Sequence, residues 1–218
     1  MQKRYELIVF DWDGTLMDST AAIVSAMQSA SRDLDLPEPP EDRARQVIGL
    51  GLAEALGRAV PELPPARYPE MVDRYRHHYL SGDQQLRLFA GVAELIGELA
   101  AAGYLLAVAT GKSRHGLNRA LVHSGLERFF HASRCADECC SKPHPQMLEE
   151  LMDELAVARE HTLMIGDTSH DLLMARNAGV GALGVTYGAH PGEHLAEHEP
   201  LACLNSVGEL ATWLKTHA

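Results

Sequence analysis

Apolar residues in this chain follow two spacings, and the change between them divides it. An uninterrupted apolar run predicts a strand over residues 6–10, and the runs at 105–109, 162–165 and 181–185 repeat it. Runs this short and continuous suit strands buried on both faces. A weaker strand is predicted over 129–132. Between the runs, apolar positions recur at three- and four-residue intervals: Val92, Leu95, Ile96 and Leu99; Leu117 and Leu121; Leu148, Leu151, Met152 and Leu155; Val207, Leu210 and Leu214. These predict helices with one buried face. Gly103, Gly125 and Gly179 stand where such helices end, Pro145 opens the one carrying Leu148, and a further helix is predicted over 171–177.

Residues 17–84 lack any convincing strand. Ile23, Ala26, Met27, Ala30 and Leu34 share one helical face, with Ser19 or Thr20 placed to cap it and Pro37, Pro39 and Pro40 to end it. Tyr68, Met71, Val72, Tyr75 and Tyr79 make a second stripe. The expected fold is therefore α/β: a doubly wound parallel sheet, Rossmann-like, built by residues 1–16 and 85–218, with a small all-helical cap domain inserted at 17–84. Sheets of this kind bind ligands beyond the carboxyl ends of their strands.

Four short segments fall at or near such ends: Asp11-Trp12-Asp13-Gly14-Thr15, Thr110-Gly111-Lys112, Lys142-Pro143 and Gly166-Asp167-Thr168-Ser169-His170-Asp171. Asp11 and Asp13 can meet around one substrate. One carboxylate can accept a phosphoryl group as an acyl phosphate, which splits a difficult displacement into two easier ones. The other can protonate the leaving alcohol and later take a proton from water. Gly14 lets the chain turn sharply and offers a backbone N–H to phosphate. An Asp-Gly turn that only caps a strand is the competing reading of this pair.

Asp167 and Asp171 follow an apolar run at Asp-x-x-x-Asp spacing. With Asp11 and the Asp13 carbonyl they make an oxygen-rich set suited to Mg2+, which needs few protein ligands beside water and phosphate. Asp171 binds the ion directly, through water, or caps its helix. Thr110 and Gly111 offer a hydroxyl and an N–H, and Lys142 offers a point charge for phosphoryl oxygens and for the nucleophile. Lys112 stands beside them with two open readings, solvated or in contact with substrate. Trp12 is expected to point into the core.

A net charge of −11 excludes a nucleic-acid-binding surface, though not a small anionic partner at a metal site. No apolar run approaches the ~20 residues that span a bilayer, and the four cysteines suit reduced thiols; the expected location is cytoplasmic. Cys135, Cys139, Cys140 and His144 do not match zinc spacings. His190, His194 and His198 read as part of a solvated loop, and His77-His78 as an exposed helical face.

On these motifs the chain resembles a haloacid dehalogenase superfamily phosphatase, and the helical insert after the first motif is similar to that of the phosphoglycolate phosphatase and β-phosphoglucomutase branch. The resemblance implies Asp11 as nucleophile, Asp13 as acid/base, and Thr110 and Lys142 as phosphate contacts. It also implies magnesium on Asp11, the Asp13 carbonyl and Asp167, with Asp171 supporting. The loop Val47-Ile48-Gly49-Leu50-Gly51 looks like the glycine-bearing specificity loop of that branch, which makes Gly49 and Gly51 candidate substrate contacts; an inter-helix turn is the alternative. The expected activity is hydrolysis of a small phosphorylated metabolite such as 2-phosphoglycolate. A nucleotide or sugar phosphatase, a phosphomutase and a noncatalytic binding protein are the alternatives. Hinges for cap motion are expected near 17–19 and 81–85.

Overall fold

Each apolar run becomes a strand of a single sheet in a computed structural model that describes residues 3–218. The strands are β1 (Leu7–Phe10), β2 (Leu105–Thr110), β3 (Ala132–Cys135), β4 (Thr162–Gly166), β5 (Gly181–Val185) and β6 (Ala202–Leu204). All pair in parallel, in the order β3-β2-β1-β4-β5-β6. Phe10 is in register with Val108 on one side and Ile165 on the other, so β1, β2 and β4 end close together. The chain runs outward from β1 through β2 and β3, then returns to start β4 on β1's other flank. That reversal leaves a crevice at the carboxyl ends of β1 and β4.

Ten α-helices complete the structure among the described residues: α1 (Thr20–Asp33), α2 (Glu41–Gln46), α3 (Leu52–Ala59), α4 (Tyr68–Gly82), α5 (Val92–Ala101), α6 (Arg114–Ser124), α7 (Gln146–Leu155), α8 (Ser169–Ala178), α9 (Gly192–Ala196) and α10 (Val207–His217). The alternation of strand side chains sorts two cores. Ile8, Phe10, Leu106, Val108 and Ile165 pack against Leu95, Ile96 and Leu99 of α5 and Leu210 and Leu214 of α10. Leu7, Val9, Ala107, Ala109 and Met164 face Met147, Leu148 and Leu151 of α7 and Met174 and Ala175 of α8. Trp12 is fully buried in the first core, edge-on to Phe130.

Helices α1 to α4 bury a separate cluster that includes Ile23, Met27, Ala30, Leu34, Leu56 and Met71. Ala189, from the segment after β5, also packs into it. Of the stripe on α4, Met71 is fully buried, whereas Tyr68, Val72, Tyr75 and Tyr79 are half-buried.

Three expectations need correction. The weak strand lies at 132–135 rather than 129–132, because β3 is an edge strand whose Ala132, Ser133 and Arg134 are only half-buried and carry no apolar run. A sixth strand of three residues, β6, closes the opposite edge and is too short to show a period. His190 is 3% exposed rather than solvated.

Candidate active site

Asp11 is the first residue past β1, and its N–H donates to the Ile165 carbonyl (2.9 Å), which prolongs the β1–β4 pairing by one bond. The carboxylate is buried. Lys142 Nζ stands 2.8 Å from Oδ1 as its ion-pair partner, and Oδ2 has no protein donor. Burial pushes the Asp11 pKa well up; Lys142 opposes this, and Asp171 and Asp167 add to it.

Lys142 hydrogen-bonds Asp171 Oδ1 at 2.6 Å. Burial works against its ammonium form, but Asp11 and Asp171 outweigh burial and hold its pKa above the usual lysine value. Its loop is tied down by Asn177 of α8, whose side-chain amide donates to the Pro143 carbonyl (2.9 Å). Asp171 also sits in the capping box that starts α8: its Oδ2 accepts from the N–H (3.1 Å) and hydroxyl (2.7 Å) of Thr168. Both Asp171 oxygens are therefore occupied by the protein.

Asp167 has one donor on each oxygen, the Thr15 hydroxyl and the Ala189 N–H, both at 2.7 Å. Its pKa is pushed up to about 7, first by burial and then by Asp171, against the effect of those two donors. One oxygen from each of Asp11, Asp167 and Asp171 can be chosen so that all three lie within 4.8 Å of one another, every residue buried. Three buried carboxylates face a single ammonium, and leaving such charge uncompensated is costly. Hard oxygen donors, surplus negative charge and an Asp11 oxygen without a protein partner fit a small divalent cation.

Asp13 lies on the other side of the loop, facing the helical unit. Ser19 Oγ donates to its Oδ1 (2.7 Å), and Lys112 Nζ donates to Oδ1 (3.0 Å) and Oδ2 (3.1 Å). Lys112 also donates to Tyr79 Oη of α4 (3.0 Å). Of its two open readings the solvated one falls, since its side chain is 11% exposed. Burial disfavours its charge, yet Asp13 more than compensates and raises its pKa.

Asp11, Asp13, Thr110, Gly111 and Lys112 form one wall of a cavity of about 520 Å³. The facing wall comes from the helical unit: Ile23, Met27, Gly49, Leu50, Gly51 and Tyr75, among others. The 47–51 loop is docked on the sheet unit. Gly51 N–H donates to Ser141 Oγ (2.9 Å), and a side chain at Gly111 would put its Cβ 2.6 Å from the Gly49 carbonyl oxygen. Gln46, just before the loop, receives Nε2 of His170 (2.9 Å) and of His190 (3.3 Å) at its carbonyl. His190 Nδ1 accepts from the Ser169 N–H (3.0 Å), so that nitrogen is unprotonated and Nε2–H faces Gln46. Burial, and after it His170, pushes the His190 pKa down to about 4.

The residues anticipated from sequence thus converge, with two changes of part. Gly14 N–H donates to the Met17 carbonyl (2.8 Å) and is not free for phosphate. Gly14 matters instead for its φ of +81° and because a side chain there would collide with the Asp167 carboxylate. The Gly51 N–H is likewise taken, by Ser141. Sequence reasoning missed Thr15, Ser19, Tyr79, Ser141 and Gly188, a residue with no room for a side chain against Asp167. Only Thr15, within the Asp-x-Asp-Gly-Thr segment, had a local signal.

Residues 8–185 match the family model for haloacid dehalogenase-like hydrolases. The chain is similar to the "Probable phosphatase IndB" of Dickeya dadantii, 38% identical over 94% of this chain and 91% of that protein. It is similar also to the "Phosphoglycolate phosphatase" of Vibrio cholerae, 32% identical over 95% and 96% of the two chains. A crystal structure of "a predicted phosphoglycolate phosphatase" from Haemophilus somnus 129pt superimposes with a TM-score of 0.87 at 25% identity, covering both chains in full. The sheet order, the converging acids and these likenesses agree: the chain belongs to the haloacid dehalogenase-like hydrolases, in their phosphoglycolate phosphatase-like group, and is a phosphoric monoester hydrolase.

Proposed function

We propose that the protein hydrolyses a small phosphate monoester through an aspartyl phosphate on Asp11, with Mg2+ held by Asp11, Asp167 and the Asp13 carbonyl. The single observation that carries this reading is the Asp11 carboxylate, buried at the meeting point of Lys142 and two further acids, with Oδ1 2.8 Å from the lysine and Oδ2 without a protein donor. An Asp11 oxygen attacks phosphorus. The ester P–O bond breaks, its electron pair stays on the alcohol oxygen, and that oxygen takes a proton from Asp13. Water then attacks phosphorus, Asp13 takes the water's proton, and Asp11 and inorganic phosphate are released. Thr110 and the backbone at Gly111 bind phosphoryl oxygens. Lys142 stabilises charge on Asp11 and on the transferring group. When bound, the ion would supply positive charge to the phosphoryl oxygens and relieve repulsion among the carboxylates. Asp171 fixes Lys142 and would support the ion directly or through water.

The helical unit, taken as residues 17–84, serves as a cap that excludes stray water from the acyl phosphate, opening at 17–19 and 81–85. Four free thiols fit a cytoplasmic location. Phosphate release should require magnesium, vanish in excess chelator and return when the metal is restored. Activity that survives chelation would end this reading. 2-Phosphoglycolate, the substrate in the name of the Vibrio relative, heads the panel.

One observation favours a second substrate reading. The cavity is about 520 Å³, and phosphoglycolate brings only nine non-hydrogen atoms to it. With Ile23, Met27, Leu50 and Tyr75 on the wall, a sugar or nucleoside leaving group would fill it better. Ranking kcat/KM across small acids, sugars and nucleoside monophosphates separates the two, and labelled hexose phosphates that come back isomerised would mark a mutase.

A further inference from the structure

Everything that holds the Asp13 carboxylate comes from a residue that also touches the helical unit. Ser19 is the N-cap residue of α1, yet its hydroxyl makes no capping bond and goes to Asp13 Oδ1 (2.7 Å). Lys112 has three N–H donors: two reach Asp13, at 3.0 and 3.1 Å, and the third reaches Tyr79 Oη at 3.0 Å. The Tyr79 ring also lies under the same ammonium, 4.8 Å from centroid to Nζ, and is held in place by stacking with Tyr75 at 15° and 5.9 Å. With all its donors engaged, Lys112 in this geometry contacts no phosphate.

We infer that Lys112 is a positioning residue for Asp13, and that Tyr79 makes this positioning depend on the helical unit being closed over the site. The proposal rests on the acid/base role given to Asp13 above. An ammonium that bridges both oxygens fixes the plane of the carboxyl. A separation of the helical unit from the sheet unit draws Tyr79 off Lys112, whose ammonium then keeps only Asp13 and is free to turn with it away from the leaving group. Proton transfer to the leaving group is thereby confined to the closed, water-excluding arrangement. Asp13 gives its proton to the alcohol and regains one from the attacking water, so each turnover returns it to its starting state.

The test uses two kinds of substrate with the whole protein and magnesium. An alkyl phosphate such as 2-phosphoglycolate, or the best alkyl substrate of the panel, needs its leaving oxygen protonated. p-Nitrophenyl phosphate leaves as a stable anion and does not. Lys112→Met should lower kcat/KM for the alkyl ester about ten- to a hundredfold, a part of the 10²–10⁴ typical of a general acid, and for the aryl ester less than threefold. Asp13→Asn should show the same asymmetry. In the Asp13→Asn background Lys112→Met should cost nothing further, the signature of two groups acting as one. Tyr79→Phe keeps the ring and the fold; it should give a severalfold loss confined to the alkyl ester, which keeps the test open if Lys112→Met does not fold. Equal losses on both esters, no loss, or a full Lys112→Met penalty in the Asp13→Asn background would overturn the inference. Phosphatase activity that survives Asp11→Asn would instead overturn the reading on which it rests.

Discussion

At the scale of single residues, the site crowds acids around one lysine. Asp11 is buried beside two further carboxylates, and Lys142, 2.8 Å from one oxygen, is its one polar side-chain neighbour of opposite charge. On the proposed mechanism Asp11→Asn keeps the shape but removes the nucleophile, and kcat should fall by more than a thousandfold in a phosphate-release assay while the variant stays folded. Asp11, Asp13, Lys142, Asp167 and Asp171 were legible in sequence because their chemistry ties residue type to strand ends. The groups that hold them were not. Lys112 meets Asp13 across 99 positions and Tyr79 across 33, and nothing local in the chain announces either meeting.

His190 carries a pH signature of its own. Neutral and buried, with a pKa near 4 in place of 6.5, it stays unprotonated while the unfolded chain takes up a proton. The sign follows: its contribution is unchanged above pH 6.5, and stability is lost as pH falls from 6.5 to 4. His170, His194 and Asp171 are the titratable groups around it. Measured by denaturant unfolding in saturating magnesium, wild type should lose on the order of 2 kcal/mol relative to His190→Asn across that window. A difference that is flat with pH would contradict the placement of His190. Its burial was unreadable because Pro191-Gly192 hides the short helix α9 that follows.

At the scale of elements, strand ends and helix starts do the aiming. β1 and β4 finish in register, and the capping box of α8 turns Asp171 toward Lys142. The long apolar strands and the amphipathic helices were readable from period alone, because both faces of the sheet are buried. β3 and β6 lie at the edges, where short, half-buried strands show no period. The backbones of the 47–51 loop and the segment after β2 touch only because position 111 has no Cβ. Gly111→Ala places that atom 2.6 Å from the Gly49 carbonyl oxygen, so the loop must lift. The expected result is a loss of more than tenfold in kcat/KM with magnesium affinity, read by titration, unchanged. Wild-type kinetics in this variant would show that the contact is idle.

At the scale of the molecule, the sheet unit and the helical unit enclose one cavity, and a few polar contacts fasten them together. Ser141 to Gly51, Arg45 to the Gly188 carbonyl (3.3 Å), and the two histidines on Gln46 are among them. A neutral hydrogen bond contributes about 1 kcal/mol, so the cap motion proposed above would cost little in broken contacts. Ser141→Ala should raise KM about fivefold, the equivalent of one such bond, with kcat within twofold. An unchanged KM would place the fastening elsewhere. The two-part plan was legible as a change of hydrophobic period near residue 88, but the docking was not, since it relies on backbone carbonyls and N–H groups that every sequence possesses.

The account turns on whether phosphorus is carried by Asp11. Wild-type protein turning over its best substrate with magnesium should be quenched, treated with borohydride to reduce any acyl phosphate to the alcohol, digested and mapped by mass spectrometry. Position 11 should appear as homoserine, in substrate-dependent yield, with Asp13, Asp167 and Asp171 intact. Homoserine at any of those three instead, or none while a burst of phosphate is released, would contradict it.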